Sequence, residues 1–155
     1  MSIFPTRILL ATDGSKEADL AASTATDLAQ KTDSELHVIF VVPTRTPFEY
    51  DAMGFTIEDP HEEVKEEGRR KLDGYVRRIE EAGGSVGGAH LKMGKPDDQI
   101  VHLAEELDAG LIVMGSRGLG GVRRALMGSV SDSVVRHAHC PVTIVRPEQR
   151  RAAER

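Results

Sequence analysis

The chain has 155 residues, 39% of them hydrophobic, and a net charge of −5 from 20 Lys+Arg and 25 Asp+Glu. That is the size of one domain with a core large enough to need no disulfide staples, and a single cysteine, Cys140, excludes an internal disulfide. No apolar run approaches the roughly 20 residues of a membrane span, the start lacks the charged leader of a signal peptide, and neither half is basic enough for a nucleic-acid face. The expectation is a cytoplasmic domain that partners neither membrane nor nucleic acid.

Arg7 to Ala11 (RILLA) reads as a central strand, apolar on both faces. Thr12-Asp13-Gly14-Ser15 is a turn, and Asp13 and Ser15 are suitable helix N-caps. Ala18, Ala21, Ala22, Ala25, Leu28 and Ala29 then recur at helical spacing, which predicts a helix with a small-residue face, ending near Lys31-Thr32-Asp33. Leu36 to Val42 (LHVIFVV) is a second, β-branched strand, stopped by Pro43.

Pro43 to Pro60 has no clear period and is long for a loop in a compact domain. Its aromatics Phe48, Tyr50 and Phe55 either flank a ligand or pin the loop to the body. Glu62 to Ala82 is a charged helix with Val64, Gly68, Leu72, Val76 and Ile79 on one face, terminated by Gly83-Gly84. Ser85 to Lys92 is a weaker strand, placed off the sheet centre by Gly87-Gly88. Gly94 to Asp97 turns into a helix using Ile100, Val101, Leu103, Ala104 and Leu107. Leu111 to Met114 is the fourth strand, Ser129 to His137 the fourth helix with Val130, Val134 and Val135 at helical spacing, and Pro141 to Val145 the fifth strand. The alternation predicts an α/β domain with an open parallel five-stranded sheet and helices on both faces. Ligands of such sheets bind beyond the carboxyl ends of the strands, where strand order reverses.

Between the fourth strand and fourth helix lie Gly115, Gly118 and Gly128-Ser129, spaced G-x2-G-x9-G-S. Each glycine alone is an ordinary turn former. Together, between strand and helix, they suit a phosphate: glycines let the main chain approach an anion, and the amides of the first helical turn point at it. Gly115 and Gly118 would approach ribose and phosphate, and Gly128, Ser129, Val130 and Ser131 would offer amides and hydroxyls. Arg117, Arg123 and Arg124 either neutralise outer phosphates or lie solvated, with Arg117 the best placed.

Other motifs read differently. His137-x-His139-Cys140 has the composition of a soft-metal cluster, but zinc sites usually need four ligands and no second cluster is evident among His37, His61, His90 and His102. The segment reads as a helix end turning into a strand, with Cys140 buried, so no metal ligands are assigned. No G-x4-G-K-[ST] loop, Ser-His-Asp set or placed general base is found, and no catalytic residue is assigned. Asp13 could be a phosphoacceptor of the receiver-domain kind, but strand three ends without an acid, and Arg146-Pro147 follows strand five where a lysine is required.

ILLATDGS at 8–15, LHVIFVV at 36–42, GKPDDQI at 94–100 and the stretch from Leu111 to Val145 resemble the universal stress protein family of the nucleotide-binding type, over essentially the whole chain. The glycine motif at 115–129 matches that family's ATP-binding signature. The resemblance implies a Rossmann-like sheet in the order 3-2-1-4-5, a domain over 1–147 and a flexible tail at 148–155. It implies a pocket lined by Ala11, Thr12 and Asp13, with Val41 meeting adenine through its main chain. Met114 to Gly118, including Gly115 and Arg117, would hold ribose and phosphate, and Gly128, Ser129, Val130 and Ser131 the phosphates. It further implies ATP, ADP or AMP as ligand, Mg²⁺ with the nucleotide, and a homodimer through strand five, Pro141 to Val145. The resulting expectation is a nucleotide-dependent stress-response or signalling switch. The alternatives are a slow ATPase or nucleotidyl-transfer enzyme of the same fold, and a chaperone-like dimer indifferent to nucleotide.

Overall fold

The computed structural model describes residues 2–13, 16–43, 60–116 and 128–146, the side chains at 16–17 and 60–61 aside. The elements run β1 (Arg7–Thr12), α1 (Lys16–Thr32), β2 (Glu35–Pro43), α2 (Pro60–Glu81), β3 (Val86–Gly94), α3 (Pro96–Glu106), β4 (Leu111–Gly115), α4 (Ser129–His137) and β5 (Val142–Val145). All ladders are parallel and the sheet order is β3-β2-β1-β4-β5, as expected. Pro141 stays just outside β5 because it has no N–H for the ladder, yet its carbonyl still accepts the amide of Ile112 at 3.0 Å.

Strand alternation divides the core in two. Ile8, Leu10, Leu36, Val38, Phe40, Val42, Leu111 and Val113 face α1 and α2. Leu9, Ala11, Ile39, Ile112 and Met114 face α3 and α4. Leu9, Ile39 and Ile112 are fully buried on three adjacent strands, so truncation of any one to alanine costs about 2–5 kcal/mol. The predicted alanine face of α1 is buried at Ala18, Ala21, Ala22, Ala25 and Ala29, which lets that helix lie close over β1 and β4. On α2, a Cβ at Gly68 would stand 2.7 Å from Val42 Cγ2, so glycine there sets the helix-to-sheet distance.

Three helices end alike. A residue with positive φ follows each: Asp33 (55°) after α1, Gly83 (97°) after α2 and Asp108 (51°) after α3. In each case the next amide returns to a carbonyl five residues back: Ser34 to Ala29 and Gly84 to Ile79 at 2.9 Å, and Ala109 to Ala104 at 2.9 Å. Two positions depart from the periodic expectation. Val64 is 45% and Val135 43% exposed, although both lie at the expected helical spacing. Tyr75, absent from the expected face of α2, is buried between Leu72 and Ile79. Among the described residues no helix is long and apolar enough to cross a membrane. Of the loop expected from Pro43 to Pro60, Pro43 ends β2 and Pro60 opens α2; residues 44–59 and the tail at 148–155 lie outside the described residues.

Candidate functional site

A crevice opens where the chain reverses strand order. β1 is paired with β2 up to Thr12↔Phe40, but with β4 only from Ile8↔Leu111 to Leu10↔Val113. Beyond that point β1 and β4 part. Ala11, Thr12 and Asp13 lie on one side, Met114 and Gly115 on the other. β2 meanwhile runs on past β1, with Val41, Val42 and Pro43 still paired to Lys92, Met93 and Gly94 of β3. The β1-facing main chain of β2 therefore has no β1 residue opposite it from Val41 onward. Val41 is half-buried and packs on the α3/α4 side, as do Ala11 and Met114.

The start of α4 closes over the end of β4. Ser116, just past β4, is buried, and its amide donates to the Val145 carbonyl at 3.0 Å. The Ser116 carbonyl accepts the Gly128 amide at 2.7 Å, and the buried Ser131 hydroxyl reaches the same carbonyl at 3.1 Å and that of Gly128 at 3.0 Å. Gly128 occupies the N-cap position and supplies no side-chain cap. The first main-chain bond of the helix runs from the Asp132 amide to the Gly128 carbonyl at 2.9 Å. The amides of Ser129, Val130 and Ser131 thus precede any intrahelical acceptor and carry the positive end of the helix dipole.

The neighbouring start of α3 is different in kind. Lys95 is its N-cap, Pro96 opens it, and Asp97 and Asp98 fill its first turn, so its own carboxylates complement the dipole. Asp97 also accepts the Ser133 hydroxyl of α4 at 2.6 Å, and that bond holds its carboxyl below the ordinary value. His137, at the far end of α4, has Nδ1 2.8 Å from the Ser133 carbonyl and engages its own helix end. Burial pushes the half-buried Cys140 thiol up, away from a reactive thiolate.

A second polar cluster occupies the opposite, amino edge of the sheet. His37 is buried, its Nδ1 3.0 Å from His90 Nε2 with ring centroids 5.3 Å apart, and its Nε2 meets the Glu35 carboxylate. Arg7 reaches Glu35 at 3.8 Å and donates to the Leu107 carbonyl at 2.9 Å. The hydrogen bond with His37, then its charge, hold the Glu35 carboxyl down; burial pushes His90 down. The sequence reading found no second histidine cluster; the fold makes one by placing β2 and β3 side by side. Gly87 and Gly88 give it room: a Cβ at Gly87 would be 2.5 Å from Glu35 Cγ, and at Gly88 2.6 Å from His37 Nδ1. Among the described residues no group of three His, Cys, Asp or Glu side chains could hold a metal ion.

Of the residues singled out from the sequence, Ala11, Thr12, Asp13, Val41, Met114, Gly115, Gly128, Ser129, Val130 and Ser131 are all at the carboxyl edge, on three strand ends and one helix start. Arg117 and Gly118 lie outside the described residues, as do Arg123 and Arg124. Ser116 falls inside the expected Met114 to Gly118 stretch, and its carbonyl joins strand to helix. Sequence reasoning missed Tyr75, whose hydroxyl reaches the end of β1; the spacing Leu72, Tyr75, Ile79 was the available signal.

The family model described as "Universal stress protein family" matches residues 5–146. Putative universal stress proteins of Staphylococcus aureus are 37% identical over 143 residues, covering 92% of this chain and 84% of theirs. The universal stress protein of Archaeoglobus fulgidus in complex with dAMP is similar at a TM-score of 0.66 and 26% identity, over 93% of this chain and 99% of that one. A universal stress protein in complex with cAMP shares the fold at a TM-score of 0.69 and 24% identity, over 92% of this chain and 98% of that one. With the whole sheet and its helices inside the matched region, the chain belongs to the universal stress protein family.

Proposed function

We propose that this protein binds an adenine nucleotide, ATP with Mg²⁺ or its ADP and AMP relatives, in the crevice between β1 and β4, and acts as a nucleotide-dependent switch in a stress response. The observation that carries the reading is the uncapped start of α4, with three amides ahead of its first helical bond, set beside the point where β1 and β4 part. An anion there gains about 0.3–1 kcal/mol from the dipole in addition to its hydrogen bonds. Complexes of family members with dAMP and cAMP support the choice of adenine.

In this reading Val41, just beyond the last β1 pairing at Thr12↔Phe40, meets the adenine edge through its main chain, while Ala11, Thr12 and Asp13 line the opposite wall. Met114, Gly115, Arg117 and Gly118 hold ribose and phosphate, and Gly128 to Ser131 hold the phosphates. Mg²⁺ arrives on the phosphates and is assigned no protein ligand. Bound nucleotide stabilises the strand-to-helix connection by RT ln(1 + [L]/Kd), about 2.7 kcal/mol at a hundredfold excess over Kd. Titration calorimetry with Mg-ATP, AMP and Mg-GTP tests this, alongside mass spectrometry of nucleotide carried through purification. Adenine nucleotides should bind and GTP should bind more weakly, because guanine reverses the donor and acceptor pattern that a fixed main chain presents. No heat with any adenine nucleotide at millimolar concentration overturns the proposal.

The same reading includes a homodimer through β5. This edge strand is short and apolar, with Val142 and Ile144 packing on the α3/α4 side and Val145 on the other. An exposed edge of that kind pairs readily with a symmetry mate. Light scattering at tens of micromolar should report a dimer, weakened by Thr143→Lys with Val145→Lys; a monomer without the substitutions overturns this part.

A further inference from the structure

We infer that Tyr75 is a positioning residue for the nucleotide site, although it stands on α2, on the other face of the sheet. The inference rests on the nucleotide reading above and adds to it a part of the chain that the glycine motif does not contain. Thr12 is the last residue of β1, one position before Asp13, and its side chain lies on the α1/α2 side with those of Ile8 and Leu10. There it hydrogen-bonds the Tyr75 hydroxyl, which in turn donates to Asp19 Oδ1 of α1 at 2.9 Å. Arg78 finishes the chain, with Nη1 3.6 Å from the same Oδ1 and its guanidinium 4.7 Å from the centre of the Tyr75 ring.

The direction of each bond follows from the groups. Asp19 can only accept, so Tyr75 donates to it; the Tyr75 oxygen is then left as the acceptor for the Thr12 hydroxyl. Tyr75 is 2% exposed, so water does not reach its ring and the hydroxyl has one geometry that satisfies both neighbours. Burial and the Asp19 carboxylate hold the phenol well above its ordinary range, so the tie stays protonated throughout the working pH range.

This placement has a consequence for the crevice. Beyond Leu10 the β1 strand has lost its β4 ladder, and only β2 holds Ala11 and Thr12 from the side. Residues 14–15 follow immediately, before α1 begins at Lys16. Tyr75 supplies a hold from a third direction, tying the strand end to α1 and α2 at once. The tie fixes the side chain of Thr12 and with it the main chain that carries Ala11 and Asp13 into the crevice. It is a device of position, because Tyr75 itself faces away from the α3/α4 side where Ala11, Val41 and Met114 lie.

Hydrogen exchange and nucleotide titration on the same set of variants test the inference. Tyr75→Phe keeps the ring and removes the tie; amide exchange over residues 11–13 should quicken about tenfold and the Kd for AMP rise about as much, the effect of one ordinary hydrogen bond. Asp19→Asn keeps an acceptor and should stay within about twofold of the unmodified chain, whereas Asp19→Ala should behave like Tyr75→Phe. Ile79→Val, a buried change one turn further along α2, should lower thermal stability without altering either quantity. If Tyr75→Phe fails to fold, Asp19→Ala, which alters a largely exposed acceptor, carries the test. Unchanged exchange over 11–13 in the folded variant, or an equal loss of affinity in Ile79→Val, overturns the inference. An unmodified chain that binds no AMP overturns the nucleotide reading instead, and exchange alone then decides whether Tyr75 holds the strand end.

Discussion

The two edges of the sheet both carry polar groups, and they use them in opposite ways. At the amino edge the partners are ionisable side chains that satisfy one another: Arg7 with Glu35 and the Leu107 carbonyl, Glu35 with His37, His37 with His90. Gly87 and Gly88 are shaped around that closed set. At the carboxyl edge the groups are hydroxyls and main chain. Ser116 and Ser131 bind the helix start to the strand end from one side, and the first amides of α4 are directed away from any intrahelical acceptor. A closed cluster has its hydrogen-bonding capacity filled from within, so its role is to fix the edge of β2 against β3. A helix start with no side-chain cap, whose one first-turn carboxylate, Asp132, is paired with Arg136 at 3.1 Å, retains capacity for a ligand. The start of α3, filled by Asp97 and Asp98, shows that location at the carboxyl edge alone does not make an anion site.

The contrast can be broken most forcefully at the glycines. Gly118→Val together with Gly128→Val should weaken nucleotide binding by about a hundredfold or more, by blocking main-chain approach, while the circular-dichroism spectrum stays folded. Retained affinity would mean that the carboxyl edge binds by some other surface. Gly88→Val puts a Cβ into the His37 ring and should cost about 1–3 kcal/mol in denaturant unfolding, with nucleotide affinity within about twofold. A fall in affinity of the same size as the fall in stability would show that the two edges are coupled and the comparison is false.

The smallest effect is a slope with pH. Burial lowers the folded-state value of His90 beneath its ordinary 6.5, so the unfolded chain binds more protons in the interval between them. Stability contributed by neutral His90 is therefore complete above about pH 6.5 and declines as pH falls through the lowered folded value. Glu35, also held down, adds loss of the same sign at more acidic pH. His90→Gln should flatten the first part of that decline in thermal unfolding between pH 7 and 5. An unchanged slope would remove His90 from the account.

Sheet and helices were legible because their signals are local. The apolar runs at Arg7 to Ala11 and Leu36 to Val42, the alanine spacing of α1 and the glycines at 83–84 each depend on neighbours a few residues away. The strand order came from resemblance to a family, since no local pattern states which strand lies beside β1. The site was legible in part for the same reason: Gly128-Ser129 announce a helix start. What the sequence left hidden depends on contacts between remote segments. Tyr75 meets Thr12 and Asp19 only after α1 and α2 pack on the same face. Gly87-Gly88 read as weak strand residues; their steric purpose appears only when β2 delivers Glu35 and His37 beside them. Val64 and Val135 lie on the expected stripes yet are exposed, because periodicity places a residue on a helix face without stating whether another element covers it.

The central position of β1 has a consequence for the chain as it is made. Arg7 finds Glu35 soon after both have emerged, but Ile8 has to wait for Leu111, roughly a hundred residues later, on the order of 5–20 s at ordinary rates of synthesis. During that interval Leu9 and Leu10, fully buried in the finished protein, form an open hydrophobic border with unmet main-chain groups. The nascent chain is most exposed to mispairing along the very strand that later sits at its middle, and the arrival of Leu111 to Val113 ends that exposure.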